Sequence, residues 1–240
     1  LSVGSSLVAV DTAGGTPNIV LTYDDGPEPG GTDTVLRALA EADVTATFFV
    51  LLSRTRRYPS LLAEAVAAGH EIALHGLNHR RLTRLPASAV AARTIEAKHE
   101  LEDMTGQPVQ WLRPPYGSQT PATWRAVTDA GLTPVMWNVE CREWLNLPEE
   151  VRLAQVRSAE AGSVVLAHDG FASRLDGVDD GPPPPLDRGD FTRSLIGICK
   201  SKGFVCSSLA HALRTGQPVL RVWLDEVSPY RARANWRDQP

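Results

Sequence analysis

Short apolar runs alternate with helix-patterned stretches along nearly the whole chain, and this alternation constrains the fold more than any other feature. Ile19–Tyr23, Ala46–Val50, Glu71–Leu74, Val109–Leu112, Thr133–Trp137, Ser163–Ala167 and Phe204–Cys206 read as buried strands, short and rich in β-branched or aromatic residues. Between them, helices are expected over Val35–Ala42, Pro59–Ala68, Ala87–Thr105, Pro121–Ala130, Pro148–Ala161 and Phe191–Ser201. Gly69, Gly106, Gly131 and Gly203 mark helix ends. Strand–helix units repeated without a break predict a parallel sheet, closed or nearly closed into a barrel, with a doubly wound open sheet as the alternative. Either arrangement gathers a site at the C-terminal ends of the strands.

The polar residues fall at those ends. Asp24-Asp25 closes the first strand, His75 the third, Arg113 the fourth, Asn138 and Glu140 the fifth and His168-Asp169 the sixth. Residues 1–17 read as an N-terminal arm, 18–215 as a single barrel domain and 216–240 as a C-terminal extension. Residues 170–190, with the run Pro182–Pro185, form a long loop beside the expected site.

Composition sets outer bounds. The 240 residues are 42% hydrophobic and 22% charged, enough for a core that needs no staple. A net charge of −4 gives no reason to expect a nucleic-acid partner. The arginines between Arg221 and Arg237 are interleaved with acidic residues and read as solvated surface. No apolar run is long enough to span a membrane. The three cysteines, Cys141, Cys199 and Cys206, include no C-x-x-C pair, which argues against a thiolate zinc site. Cys199 and Cys206 are compatible with a disulfide and equally with two buried thiols. The start at Leu1, without Met or a basic segment, fits a mature or truncated form. Compartment stays open, a secreted or cell-envelope location being slightly favoured over a cytoplasmic one.

Four clusters carry chemistry. Adjacent carboxylates in Asp24-Asp25-Gly26-Pro27 repel unless a cation lies beside them; one can then ligate while the other serves as a base, although capping aspartates in a turn are the plainer explanation. His75 and His79 stand at i, i+4 and can share one ion, so Asp25, His75 and His79 together form an Asp-His-His ligand set suited to Zn2+. In Arg113-Pro114-Pro115-Tyr116-Gly117 the prolines stiffen a loop able to aim a main-chain N–H at an oxyanion, and Arg113 can hold a carboxylate. His168, ending a buried strand, is placed as a general acid.

Together these motifs make residues 18–210 resemble the polysaccharide deacetylase family, the NodB-homology or family 4 carbohydrate esterases. Thr22–Pro27 matches its T-F-D-D-G-P signature with Tyr23 for Phe, His75–His79 its H-[ST]-x-x-H, Arg113–Gly117 its R-P-P-[YF]-G, and Leu166–Asp169 its L-x-H-D. The resemblance implies a distorted (β/α)7-type barrel and metal-dependent removal of N-acetyl groups from sugars. It implies Asp24 as base, His168 as acid, Arg113 as support for Asp24, and a Tyr116 N–H at the oxyanion. Asp25, His75 and His79 would hold the ion, Zn2+ by default with Co2+, Ni2+ or Mn2+ as alternatives. Pro115, Trp144 and Leu166 would line the substrate pocket.

Two departures from the family pattern bear on the substrate. Gly76 follows the first histidine in place of Ser or Thr, and Trp137–Trp144 carries Asn138, Glu140 and Glu143 where the fourth motif has aspartates. Glu143 is the residue expected to support His168 or Arg113. The leading expectation is an N-deacetylase acting on a chitin-like oligomer, peptidoglycan or a small glycoconjugate. The alternatives are a hydrolase of a non-sugar amide, imide or formamide on the same fold, and a non-catalytic carbohydrate-binding relic.

Overall fold

In the computed structural model, which describes residues 2–12 and 15–225, the elements follow in the order β1 (Ser5–Asp11), β2 (Asn18–Asp24), α1 (Thr32–Ala42), β3 (Thr47–Leu51), α2 (Leu52–Arg57), α3 (Pro59–Ala67), β4 (Glu71–Gly76), α4 (Ala87–Thr105), β5 (Trp111–Leu112), α5 (Pro121–Asp129), β6 (Thr133–Pro134), β7 (Val139–Glu140), α6 (Glu149–Arg152), α7 (Ala154–Arg157), β8 (Val164–His168), α8 (Arg188–Ser201), β9 (Val205–Ser207), α9 (Leu209–Leu213) and β10 (Gln217–Val222). Local chemistry sets several ends. Thr120 and Thr123 form a reciprocal capping box ahead of α5. The Asp187 side chain accepts from Asp190 N, so α8 starts at Arg188, three residues before the apolar period begins. Gly106, with φ of 66°, stops α4. The helix expected over Pro148–Ala161 is instead two single turns, α6 and α7, meeting at Leu153.

The sheet is parallel and runs β6-β5-β4-β3-β2-β8-β7. It curls into a distorted barrel, and its closure explains why two expected strands shrink to two-residue ladders. Residues 133–141 cross from one edge to the other: Val135 N donates to Leu112 O at 2.9 Å on the β5 side, while Cys141 N donates to Leu166 O at 3.2 Å on the β8 side. β9 pairs with Asn18–Val20 of β2 and β3 with Thr22–Asp24, so β9 is wedged into the lower part of the ring.

Side-chain parity divides the core in two. Ile19, Leu21 and Tyr23 of β2, with Val165 and Ala167 of β8, face the helices. Val20, Phe49, Ala73, Val164 and Leu166 face a second cluster inside the curl, together with Leu7, Met136, Trp137 and Trp223. The segment expected as an arm is extended, but it is built into the barrel. β1 pairs antiparallel with β10, bridges Val135 through Leu7 and Ser163 through Ala9, and buries Leu7 completely. Arg221 is exposed, whereas the other arginines of the Arg221–Arg237 stretch fall beyond residue 225, outside the described residues. Among the described residues no helix is long and apolar enough to cross a membrane. Cys141, Cys199 and Cys206 are free, buried thiols.

Candidate metal and catalytic site

The parity that sends Val20 and Leu166 inward also turns the last inward residue of each strand toward one point. On β2 this is Asp24, on β4 His75, after β5 Arg113 and on β8 His168. Asp25 would point away by the same rule, but its left-handed φ of 75° bends the chain and brings its carboxylate back to the histidines. Gly26 makes that bend possible, because a Cβ there would lie 1.9 Å from Asp169 Oδ2. Asp169 in turn accepts from Gly26 N at 3.1 Å and from Thr32 Oγ1 at 2.6 Å, fixing the turn from the next strand. Nothing in the Leu166–Asp169 motif itself signals this part for Asp169, because its partners lie on the loop and helix after β2.

Asp25 Oδ1 stands 3.4 Å from His75 Nε2 and 3.2 Å from His79 Nε2, and all three residues are buried. His75 Nδ1–H donates to Arg113 O at 2.7 Å, which commits Nε2 to the centre of the cluster. Burial lowers both imidazoles to about 4, leaving them neutral at physiological pH, and burial raises the Asp25 carboxyl, opposed by His168 and His75. Asp25 Oδ1 has no hydrogen-bond partner among the described residues although it is buried. Two neutral nitrogen donors and an orphaned carboxylate oxygen, all within 4.8 Å of one another, fit a divalent cation. Gly76 adopts φ of +111°, a conformation suited to glycine, and a Cβ there would come within 3.2 Å of Asn78 O.

Asp24 lies beside this trio, its Oδ2 3.9 Å from His75 Nε2. Its Oδ1 accepts from Arg113 Nη1 at 2.7 Å. Arg113 is wholly buried, which depresses its pKa against the pull of Asp24. Its other donors reach Thr22 Oγ1, Val135 O and Met136 O, and its guanidinium lies 4.2 Å from the Phe49 ring centroid. That satisfied fork holds the Asp24 carboxylate in one orientation.

On β8, in register with Asp24 of β2, His168 Nδ1 meets Glu143 Oε1 at 2.5 Å, and the Trp144 ring stands edge-on to the imidazole at 5.1 Å. Burial pulls the imidazole down, but the charge and hydrogen bond of Glu143, with the charges of Asp25 and Asp24, raise the group to about 9. Leu166 is buried two residues earlier on the same inward face. Tyr116, with φ of 61°, packs its ring 4.4 Å from that of His79, and Pro115 sits against Gly76. Asn138 and Glu140, expected at the same barrel face, do not join. Asn138 Oδ1 accepts from Val164 N at the opposite end of β8, and Glu140 pairs with Arg142 at 2.8 Å.

Several residues around the site carried no sequence signal. Arg54 and Asp176 are buried and paired at 2.8 Å, with Glu28 at 3.1 Å from Arg54 and with Arg57 also on Asp176. The Asp176 main-chain oxygen accepts from His79 N at 3.0 Å. Trp223 Nε1 donates to Gly117 O at 2.9 Å, bracing the Arg113–Gly117 loop from β10's end.

A family model described as polysaccharide deacetylase matches residues 11–135. The chitooligosaccharide deacetylase of Sinorhizobium fredii is 36% identical over 209 residues, covering 81% of this chain and 91% of the relative. The peptidoglycan-N-acetylglucosamine deacetylase of Bacillus cereus is 32% identical over 159 residues, covering 65% of this chain and 74% of the relative. Among solved structures, a family 4 carbohydrate esterase from Streptomyces lividans in complex with acetate aligns with a TM-score of 0.71 at 26% identity, covering 85% of this chain and 97% of that one.

Proposed function

The chain belongs to the polysaccharide deacetylase family, and from that premise we propose that it hydrolyses the N-acetyl group of an N-acetylamino sugar. The observation that supports the reading is that Asp24, held by Arg113, and His168, held by Glu143, are register neighbours on paired strands beside the Asp25-His75-His79 trio. A divalent cation bound by that trio supplies Lewis-acid polarisation of the acetyl carbonyl and lowers the pKa of water. Zn2+ is the proposed ion, Co2+, Ni2+ and Mn2+ being the alternatives.

The chain's own residues do the rest. Asp24, oriented by Arg113, takes a proton from the attacking water as the new C–O bond forms. The Tyr116 N–H is assigned to the oxygen that becomes negative. His168, protonated through its contact with Glu143, delivers its Nε2 proton to the departing nitrogen as the C–N bond breaks, so the products are acetate and the free amine. Pro115, Trp144 and Leu166 line the place of the acetyl methyl and the sugar. Relatives named for chitooligosaccharide and for peptidoglycan N-acetylglucosamine support an N-acetylglucosamine unit as substrate. The working unit is proposed to be the barrel of residues 18–215, braced by β1 and β10.

Acetate release from N-acetylglucosamine oligomers, peptidoglycan fragments and small glycoconjugates tests the reading, with and without a chelator. Turnover should vanish on chelation and return with Zn2+. Asp24→Asn should lower kcat by about two to four orders of magnitude. Undiminished acetate release from Asp24→Asn would sink the assignment of the base.

A further inference from the structure

The turn that carries Tyr116 is held by a part of the chain far from it in sequence. Tyr116 and Gly117 both stand in the left-handed region, with φ of 61° and 60°. Glycine is required at 117, where a Cβ would lie 2.6 Å from Trp137 Cη2. At Tyr116 the same region is unfavourable for a bulky residue, and it persists only where the surroundings over-determine it. Upstream, the rings of Pro114 and Pro115 fix their own φ but leave the ψ of Pro115 open, and that angle helps set where the Tyr116 N–H points. Gly117 N closes the turn by donating to Pro114 O at 2.8 Å. What keeps Gly117 in place must therefore come from the downstream side.

Residues 223–225 supply that hold. Trp223 Nε1 donates to Gly117 O at 2.9 Å, and its ring stands 5.1 Å from that of Trp137. The Asp225 carboxylate accepts from Ser118 Oγ at 2.9 Å and from Gln119 N at 2.8 Å, and Asp225 N donates to Gln119 O at 2.9 Å. The Gln119 side chain turns back, its Nε2 donating to Trp223 O at 2.8 Å and to Ser6 Oγ at 3.1 Å. Gly117, Ser118, Gln119 and Trp223 are buried, so losing one of these bonds leaves a polar group away from water without its partner. The clamp is itself tied to the barrel, because Trp223 N donates to Gly4 O at 3.0 Å and β10 pairs with β1.

We propose that Trp223 and Asp225 are positioning residues for the hydrolysis, fixing the Tyr116–Gly117 turn in the backbone conformation that aims the Tyr116 N–H at the developing oxyanion. The inference rests on the deacetylase reading, which assigns that N–H to the oxyanion, and deepens it. An oxyanion donor is effective only if it is in place before the charge develops. A turn released from its clamp should therefore lose rate and keep ground-state binding. Both residues lie in the stretch that sequence alone sets apart as a C-terminal extension, and both act through the turn.

The test takes the Zn2+-loaded protein and three variants. Trp223→Phe keeps an aromatic ring and removes the N–H donor, Asp225→Ala removes both acceptors, and Asp225→Asn restores the shape and one acceptor. In Trp223→Phe and Asp225→Ala, kcat on an N-acetylglucosamine oligomer should fall about ten- to a hundredfold while KM and Zn2+ affinity stay within about threefold. Asp225→Asn should recover most of what Asp225→Ala loses. Hydrogen–deuterium exchange over residues 113–120 should rise in Trp223→Phe and Asp225→Ala, while β2 and β4 keep their wild-type protection. An unchanged kcat in both folded variants overturns the proposal. So does a fall in kcat matched by an equal loss of Zn2+ affinity or an equal rise in KM, because the residues would then support the fold in general. Exchange is read without turnover, so unaltered exchange over 113–120 overturns the clamp even if no substrate releases acetate. Absence of acetate release with raised exchange would count against the deacetylase reading alone.

Discussion

Glu143 is one methylene longer than the aspartate of the family pattern, and the added reach ends on His168 Nδ1 at 2.5 Å. Its second oxygen, Oε2, is buried without a partner among the described residues, so His168 is the group its carboxylate is bonded to there. The consequence is a pH signature. Burial alone lowers His168, and Glu143 foremost, with Asp25 and Asp24, raises it to about 9. A general acid works while protonated, so kcat/KM should fall as pH rises through the His168 pKa. Glu143→Gln removes the charge and leaves the burial, so the alkaline limb should move toward acid by more than about one pH unit. Glu143→Asp should bring it part of the way back. An alkaline limb that stays in place in Glu143→Gln would remove Glu143 from any role through His168. The pairing was legible in the sequence only as an expectation of support, because Glu143 and His168 lie 25 residues apart on a loop and a strand end. What was legible was placement at strand ends. Asp24, His75, Arg113 and His168 each follow a short apolar run, and reading that needs no tertiary information.

At the scale of the element, the 170–190 loop shows where sequence reasoning stops. Its length and prolines marked it as a loop near the site. Nothing local announced that Asp176 would be buried against Arg54, a partner 122 positions away. The same holds for Asn138 and Glu140. They were placed at the working face by assuming a regular fifth strand, but residues 133–141 cross between two edges and the register changes along them. The Asp176 anchor predicts an asymmetry. Asp176→Asn leaves the buried Arg54 with only the half-exposed Glu28 as counter-charge and should cost up to about 3–5 kcal/mol of stability in urea unfolding. Because Asp176 O holds His79 N, loosening this loop should also weaken metal binding by isothermal titration. Replacing Arg54 by Met together with Asp176 by Leu should recover much of the lost stability, since both charges then disappear. A single Asp176→Asn variant as stable as the wild type would show that the pair does not anchor the loop.

The whole molecule closes through parts that the strand–helix rhythm left out. The family match begins at residue 11, yet the interior cluster begins at Leu7, which is wholly buried among Val20, Phe49, Val135 and Val164. β1 fills the seam between the two halves of the 133–141 crossing: Met136 N donates to Leu7 O at 2.7 Å, and Val10 N donates to Gly162 O at 2.8 Å. Its partner β10 leads to Trp223, which holds the Gly117 carbonyl and so steadies the loop that carries Arg113 and Tyr116. From sequence, an extended segment ahead of the first strand has no visible partner, because its ladder pairs with residues more than two hundred positions away. Leu7→Ala should therefore behave as a core truncation. The expected loss is about 2–5 kcal/mol in denaturant unfolding, set by how far the interior can collapse into the space left behind. The candidate metal trio stands at the end of β2, on β4 and in the loop after β4, and neither strand pairs with β1. Metal affinity in the folded variant should thus stay near that of the wild type while kcat falls, through the loosened Gly117 loop. A Leu7→Ala protein with unchanged stability would mean that β1 is a surface attachment, and the barrel would then have to hold its seam without it.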